Sequence, residues 1–410
     1  GGQGGAGGQG GAGGQGGAGG QGGAGGVGGQ GGAGGDVCVP PALPPEAIVT
    51  SQTLRDARMI WQGGEPVFAI VFGEPSRVRI LRGPPIAGVT VQPGASVGVS
   101  EGAERVALSV SGNVLGVAWS TDDNVHFSRV DGTRVLESLG VGEPDDAVSA
   151  PVLVADPAGW FMFWLSRSGG STQLRQVHFN PDGTSPPATP LGPPLAAGDL
   201  DEAHLTGELI LTPDGPKIHL AFDGRAVGEQ GIRVGTVNLG MPGDGPPELV
   251  DYQGNALAGR SPRFVAGANP PRLLWTDADN GQVLATDWTA QGRQAAVSLQ
   301  LGQMATNALF SPVGGADMAA GIMGVLVCAD DVMQEEDCSR IRFRGFDDRA
   351  DPASIGLTEA ADAPGILTNS RVARDVAAHD GTFAGLWTAE LDLGSVVFYR
   401  EAMLPAVCFE

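Results

Sequence analysis

The chain has 410 residues, of which 46 are acidic and 24 basic, and its formal net charge is -22. Because the basic residues form no cluster in the sequence, neither a nucleic acid nor an anionic membrane is expected as a partner. No apolar run reaches the roughly 18 to 20 residues that a membrane-spanning helix needs, so no transmembrane segment is predicted.

Residues 1–36 are Gly-Gly-X triplets in strict phase. A period of three matches the extended left-handed helix in which all X residues share one ridge and the other two faces are bare glycine. Bare faces let neighbouring helices approach and hydrogen-bond, so we predict self-association through this segment, with a flexible tether as the alternative. The segment resembles the polyglycine-II segments of some phage adhesins and glycine-rich antifreeze proteins. The predicted assembly ridge comprises Gln3, Ala6, Gln9, Ala12, Gln15, Ala18, Gln21, Ala24, Val27, Gln30 and Ala33.

A proline-rich connector follows at residues 37–46, and residues 47–410 are assigned to one globular domain. Its first predicted strand, 47–50, has no partner nearby in sequence. A hairpin pattern then recurs at intervals of 45 to 59 residues: an apolar run, a polar turn and an alternating run. The apolar runs end in an aromatic residue or, once, a cysteine: Phe72, Trp119, Trp164, Phe222, Trp275, Cys328 and Trp387.

A further strand precedes each hairpin, and a fourth, poorer strand follows in most units. The predicted first strands are 57–61, 106–110, 152–155, 208–211, 262–265, 307–311 and 372–378. Seven four-stranded antiparallel units predict an all-β, seven-bladed β-propeller. The last unit lacks a fourth strand, which we expect strand 47–50 to supply. This closure resembles that of many propellers, although neither a WD dipeptide, a kelch double glycine nor a regular Asp-box repeat is present.

The four cysteines fall into two natural pairs, although sequence alone permits three connectivities. Cys38 and Cys408 lie near the two termini of the ring, and Cys328 and Cys338 lie on the two strands of one hairpin. Disulfides need an oxidising compartment, and free thiols in a cytosolic protein are the alternative. With no initiator Met and with arginine used almost to the exclusion of lysine, we expect an exported bacterial protein, extracellular or on the outer cell surface, with its leader removed.

Acidic residues are frequent in the loops expected on one face of the propeller. Such a face could bind Ca²⁺, a carbohydrate or a protein. Asp277 and Asp279 have the opening spacing of a calcium loop but lack its downstream acid, so a solvated turn is the alternative. The acidic loop residues are Asp122, Asp123, Asp145, Asp146, Asp199, Asp201, Glu202, Asp277, Asp279, Asp330, Asp331, Glu335, Glu336 and Asp337.

No catalytic motif is present: the five histidines are scattered, and no G-x-S-x-G occurs. We therefore predict a non-enzymatic extracellular structural protein, in which the triplets pack with other subunits into a fibre or stalk and the propeller is a displayed head. No cofactor is expected apart from possible Ca²⁺. The alternatives are a surface-tethered binding module with the triplets as a linker, and a secreted propeller hydrolase or lyase that uses the acidic face.

Overall fold

The structure is a computed structural model. It describes residues 46–51, 53–83, 92–97, 102–122, 124–141, 149–168, 171–192, 196–197, 204–212, 215–223, 231–239, 247–277, 282–289, 292–299, 309–319, 321–330, 340–346, 358–360, 371–391 and 394–403. Every regular element in these ranges is a β-strand, and they contain no helix long and apolar enough to cross a membrane. The Gly-Gly-X triplets with their predicted assembly residues, and the connector up to residue 45, lie outside the described residues.

The described strands form seven antiparallel sheets, which follow one another along the chain. The first strand of the chain is β1 (Glu46–Ser51). The first two sheets contain β2 (Leu54–Gln62), β3 (Glu65–Phe72), β4 (Arg77–Arg82) and β5 (Gln92–Val97), then β6 (Arg105–Ser111), β7 (Val114–Ser120), β8 (Val125–Asp131) and β9 (Arg134–Gly140). The third contains β10 (Val152–Asp156), β11 (Gly159–Ser168), β12 (Ser171–Phe179), β13 (Thr189–Pro190) and β14 (Ala196–Ala197).

The remaining four sheets have the same plan, with a long hairpin after the first strand. The fourth contains β15 (Leu205–Thr212), β16 (Gly215–Phe222), β17 (Ile232–Asn238) and β18 (Glu248–Leu257). The fifth contains β19 (Arg260–Phe264), β20 (Arg272–Thr276), β21 (Val283–Thr289), β22 (Gly292–Arg293) and β23 (Val297–Ser298). The sixth contains β24 (Leu309–Ala319), β25 (Ile322–Asp330), β26 (Arg340–Phe346) and β27 (Thr358–Ala360), and the seventh β28 (Arg371–His379), β29 (Thr382–Leu391) and β30 (Gly394–Met403).

The first strands of the sheets lie side by side in a closed cycle. Their order is β2, β6, β10, β15, β19, β24 and β28, and β28 lies beside β2 again. The sheets are therefore the blades of a seven-bladed β-propeller, which confirms the predicted fold. We number the blades one to seven in chain order and call these seven strands the inner strands, because they surround the central channel.

The ring is closed by the N-terminal strand. β1 pairs antiparallel with β30, with Glu46 opposite Tyr399 and Ser51 opposite Ser395. It is thus the outer strand of blade seven, in the order β1, β30, β29, β28, as the sequence predicts. The two predicted disulfides stay predictions, because Cys38, Cys338 and Cys408 lie outside the described residues and only Cys328 falls in a strand, β25.

The hydrophobic core lies between neighbouring blades. Trp119, Trp164 and Trp387, which end the apolar runs of their hairpins, are all buried in the second strands of their blades. Between blades six and seven, Trp387 belongs to a cluster that also includes Phe343 and Phe383. Because every blade buries one face against the next, the apolar hairpins both form the blades and join them.

The inner strand of blade six differs from its prediction. We expected it at 307–311, whereas β24 runs from Leu309 to Ala319. The glycine pair at 314–315, which suggests a strand end, is accommodated by shifts of register against β25 between Phe310 and Val313 and between Val313 and Gly315. The longer strand brings Asp317 into the wall of the channel.

Candidate functional site

Charged side chains from six inner strands interact with one another inside the ring. They form one electrostatic network, in which each residue either affects the ionisation of another member or is affected by one. We call this set the channel cluster. Its members are Asp56 and Arg58 in blade one, Arg105 in blade two, Glu208 in blade four, Arg263 in blade five, Asp317 in blade six, and Arg374 and Asp375 in blade seven.

Three aspartates of the cluster join consecutive blades in the same way. One carboxylate oxygen accepts the N–H of the following residue, and the other accepts an N–H from the inner strand of the next blade. We call this arrangement the interblade clasp. Asp317 accepts the N–H groups of Met318 and Ala378, both at 2.7 Å. Asp375 accepts those of Val376 at 3.0 Å and Met59 at 2.9 Å. Asp56 accepts those of Ala57 at 2.9 Å and Val106 at 3.0 Å.

A β-bulge precedes two of the clasp aspartates. The pairing register shifts between Leu54 and Asp56 in blade one, and between Ala373 and Asp375 in blade seven. In both blades the clasp aspartate follows an arginine, so the sequence pair Arg-Asp recurs at equivalent places. A bulge changes the direction in which successive side chains point, which allows a strand to place charged neighbours around the channel.

Two arginines surround the Asp56 carboxylate. Arg58 Nε lies 3.7 Å from Asp56 Oδ2, and an Arg374 guanidinium nitrogen lies 3.6 Å from Asp56 Oδ1. Burial alone would raise the pKa of Asp56, but the charges of Arg58, Arg374 and Arg105 outweigh it and hold the pKa below its ordinary value. Asp56 is therefore ionised at neutral pH and balances part of the positive charge in the channel.

Arg263 is a second centre of positive charge, and its interactions cross the channel. Burial lowers the pKa of Arg263 to about 10, and the charges of Arg58 and Arg105 act in the same direction, against those of Asp375 and Asp56. Within the described residues, the Arg263 side chain makes no hydrogen bond and no salt bridge. Blades one and two lie across the ring from blade five, so charges that act on Arg263 belong to strands on the far side of the channel.

Glu208 and Asp317 approach the same glycine from two sides. Glu208 Oε1 accepts the Gly267 N–H at 3.4 Å, and Asp317 Oδ1 lies 3.9 Å from the position that a Cβ atom of Gly267 would occupy. Burial raises the pKa of Glu208 to about 7, the Gly267 N–H acts against this, and the charge of Asp317 adds to it. Burial likewise raises the pKa of Asp317 to about 7, against the two N–H groups of its clasp.

Asp223 holds the backbone that carries Arg263. Its carboxylate accepts the backbone N–H of His204 at 2.9 Å and that of Ser261, and lies 3.0 Å from His204 Nδ1. Burial would raise the pKa of Asp223, but these hydrogen bonds and the His204 charge hold it below its ordinary value. Ser261 has a φ of 52° and lies in the bulge between Arg260 and Arg263, so the ionised Asp223 stabilises an uncommon backbone conformation beside Arg263.

The predicted calcium site is only partly within the described residues. Asp277 directly follows β20 and donates its backbone N–H to the Gln282 carbonyl at 2.8 Å, whereas Asp279 lies outside them. Of the other acidic loop residues, only Asp122 and Asp330 belong to the described ranges. In those ranges no three His, Cys, Asp or Glu side chains are grouped to hold a metal ion. Calcium binding thus stays a prediction.

Sequence reasoning missed the channel cluster. Arginines that are dispersed along the chain, such as Arg58, Arg105 and Arg263, meet only because their strands line one channel. The available signal was local: charged residues occur in first strands that are otherwise apolar, and Arg-Asp recurs at 55–56 and 374–375.

No known protein family matches the chain, and no curated protein matches it in sequence. Many solved structures share its architecture. A prolyl endopeptidase structure is 12% identical with a TM-score of 0.49, over 85% of this chain and 47% of that chain. A puromycin hydrolase is 14% identical with a TM-score of 0.47, over 87% and 54%. The polysaccharide lyase Uly1 is 12% identical with a TM-score of 0.43, over 87% and 91%.

The chain spans about half the length of the prolyl endopeptidase and of the puromycin hydrolase. Such low identities show a shared fold and transfer no activity. The similar structures include enzymes and lectins, and they contradict the prediction of a non-enzymatic structural protein with a displayed head. The triplets on which that prediction was based lie outside the described residues. The channel also holds charged groups, and removing charged groups from water costs free energy. A protein that only displays a head has no need of such buried charges.

Proposed function

We propose that the chain is an enzyme, a hydrolase or a lyase, whose reaction takes place in the central channel with Glu208 as the proton-transferring group. The observation that carries this proposal is the setting of the Glu208 carboxyl. It lies on an inner strand, has one described hydrogen bond, the 3.4 Å contact from the Gly267 N–H, and is next to the carboxyl of Asp317.

The two carboxyls differ in how their oxygens are engaged. Asp317 accepts a backbone N–H on each oxygen at 2.7 Å, so it is fixed in its clasp. Glu208 has only the long contact to Gly267, which leaves its carboxyl accessible to a ligand. Burial keeps the pKa of Glu208 near 7, with a smaller contribution from the charge of Asp317, so Asp317 is a positioning residue and Glu208 exchanges the proton.

A group with a pKa close to the working pH is present in both its acid and its base form, which suits general acid–base catalysis. In hydrolysis, the protonated Glu208 gives its proton to the leaving group as the bond between that group and the reacting carbon breaks. The oxygen of a water molecule bonds to the carbon, and the Glu208 carboxylate takes up the proton that this water loses. In elimination, the ionised Glu208 takes a proton from carbon, the C–H electron pair forms a double bond, and the leaving group departs with its own electron pair. The geometry of the carboxyl fits both reactions.

The proposal is tested on the full chain with panels of peptide, ester, glycoside and polyuronate substrates. We expect turnover of one class, and a loss of kcat of about a hundredfold or more in Glu208→Gln. Glu248→Gln serves as the matched control, because Glu248 is exposed and belongs to the same blade. The proposal fails if the wild-type chain turns over no substrate class or if Glu208→Gln keeps full activity.

We also infer that this enzyme works outside the cytoplasm. The support comes from the sequence, in which the four cysteines form two natural pairs, Cys38 with Cys408 and Cys328 with Cys338. Mass spectrometry of a non-reduced digest should recover both linked peptides. Four alkylated thiols in protein purified without reductant would contradict this inference.

A further inference from the structure

A group of aromatic rings lies between blades four and five, on the face of blade four that carries Glu208. The imidazole of His219 stacks on the indole of Trp288, with 5.2 Å between the ring centroids and 26° between the planes. The Phe264 ring lies 6.0 Å from that of Trp288 and 6.4 Å from that of His219. We call His219, Phe264 and Trp288 the aromatic platform. Phe264 is buried, whereas His219 and Trp288 are half-buried, so the platform is partly accessible to solvent.

The aromatic platform adjoins the proton-transferring group. His219 in β16 is directly opposite Glu208 in β15. Side chains at opposite positions of an antiparallel pair lie on the same face, with their Cβ atoms about 4.5 to 5.5 Å apart. This face of blade four contacts blade five twice: Glu208 Oε1 accepts the Gly267 N–H, and the Thr206 hydroxyl accepts the Phe264 N–H at 3.2 Å. The carboxyl and the stacked rings therefore belong to one interface.

The two stacked rings are held by their own blades. His219 Nδ1 lies 2.8 Å from the Thr236 hydroxyl, and the Trp288 backbone N–H donates to the Pro271 carbonyl at 2.9 Å. Burial lowers the pKa of His219 to about 4, and the Lys217 charge adds to this, so the imidazole is uncharged at neutral pH. Among the residues that the structure describes, neither His219 Nε2 nor the Trp288 indole N–H makes a hydrogen bond. Each ring thus keeps one polar edge for a ligand.

We propose that the aromatic platform is a subsite for an uncharged saccharide, which makes a glycoside the substrate class of this enzyme. A sugar ring has apolar C–H faces and a rim of hydroxyl groups. Trp288 offers an apolar surface for such a face, and the polar edges of Trp288 and His219 offer nitrogen atoms for the hydroxyl groups. An anionic sugar would find no cation in the platform and would be repelled by an ionised Glu208. The inference rests on the proposed function, because the bond beside the bound ring would be presented to Glu208.

A second Trp–His stack in the propeller provides a matched comparison. Trp61 and His379, between blades seven and one, have the same centroid distance of 5.2 Å, and both are half-buried. The residues opposite them in their sheets are Pro66 and Thr382, so neither ring has an acid across its strand pair. The Trp61 indole nitrogen is also buried without a hydrogen bond. Trp61 therefore serves as a control that shares the stacking but not the neighbouring carboxyl.

Binding is measured on the full-length Glu208→Gln chain, which keeps the aromatic platform and lacks the group that transfers the proton. The probes are cellohexaose, xylohexaose, mannohexaose and chitohexaose, each titrated by calorimetry. We expect at least one of these neutral oligosaccharides to bind. Hexagalacturonate is titrated against the wild-type chain, in which the Glu208 carboxyl is present, and we expect it not to bind. Binding or turnover of hexagalacturonate would contradict the assignment to an uncharged sugar.

Trp288→Ala in the same background should weaken binding about tenfold or more, because it removes both the apolar surface and the N–H. Trp288→Phe keeps an aromatic ring and should weaken binding less, about three- to tenfold. Trp61→Ala and Trp61→Phe should leave the affinity unchanged. If the Trp288 stack were only structural, the Trp288 variants would melt at a lower temperature, as the Trp61 variants should, but the folded chains would bind as the parent does.

The subsite is refuted if none of the neutral oligosaccharides binds, or if the Trp288 variants bind as tightly as their parent. Its failure differs from a failure of the proposed function. A chain that binds a neutral oligosaccharide through Trp288 but turns over no substrate refutes only the enzyme. A chain that turns over a peptide or an ester through Glu208, without binding any saccharide, refutes only the subsite.

Discussion

The carboxylate of Asp375, in the last blade, accepts the Met59 N–H of the first blade at 2.9 Å. The same clasp joins blade six to blade seven through Asp317 and blade one to blade two through Asp56. Each clasp uses one backbone N–H of its own strand and one of the next, so the aspartates tie inner strands that do not otherwise share a sheet. The ring junction is thus held by a side chain at the channel as well as by β1 at the rim.

Replacing the junction clasp should destabilise the ring. Asp375→Ala leaves the Met59 and Val376 N–H groups without their acceptor, and a buried unsatisfied donor costs about 1 to 3 kcal/mol. Urea denaturation should show a loss of that order, and Glu390→Ala, an exposed carboxylate of the same blade, should show almost none. Equal stability of the two variants would mean that the clasp does not contribute.

The Glu208 carboxyl predicts a pH dependence of stability. Its pKa is about 7 in the folded chain and ordinary in the unfolded chain, so folding favours the protonated form. This contribution is complete below the ordinary pKa of 4.5 and is lost as the pH rises through about 7. After allowance for solvent screening, the shift corresponds to a decline in the free energy of unfolding on the order of 2 kcal/mol between pH 4.5 and 8. Glu208→Gln should remove that decline. Urea denaturation across this range measures it, and parallel wild-type and variant curves would contradict it.

Two glycines in equivalent second strands should respond differently to an added methyl group. A Cβ atom at Gly324 would lie 2.6 Å from the Phe383 ring of the next blade, whereas one at Gly385 would meet its nearest atom, Leu326 Cδ1, at 3.5 Å. Gly324→Ala should therefore cost about 1 to 3 kcal/mol, and Gly385→Ala much less. Thermal melting compares them, and Phe383→Leu should partly rescue Gly324→Ala. A loss that is the same at both positions would argue against this packing.

Two N-terminal deletions separate the role of β1 from that of the triplets. A chain that begins at Val37 keeps β1 and should melt like the full chain. A chain that begins at Thr53 lacks β1 and leaves β30 as an unpaired edge, so it should melt at a lower temperature and aggregate more readily. Light scattering and calorimetry provide both readouts. Identical melting of the two shortened chains would show that β1 is dispensable.

The sequence was sufficient for the fold because the signal was local and repeated. The apolar runs that end at residues such as Trp119, Trp164 and Trp387 are buried second strands of their blades in the structure. The orphan strand 47–50 could be assigned to blade seven because no fourth strand was predicted after the seventh hairpin. The prediction failed where glycine is ambiguous: the pair at 314–315 suggests a strand end, but β24 passes through it by shifting register.

The channel cluster could not be predicted in the same way. Glu208, Arg263 and Asp375 are far apart in sequence, and each is an ordinary polar position of a short strand. Their meaning depends on the ring geometry, which directs them toward one axis, and on bulges such as that between Arg260 and Arg263, which change where side chains point. Hydrophobic periodicity contains no information about either.

The pairing of Ser51 with Ser395 also determines when the ring can close during synthesis of the chain. Ribosomes add about 5 to 20 residues per second, so β1 leaves the ribosome roughly 20 to 70 s before its partner strand has been made. During that interval six blades can form while the seventh is missing and both flanking faces are open. The newly made protein thus passes through a long-lived state with an unpaired strand at one end, and the ring becomes complete only when synthesis has almost finished.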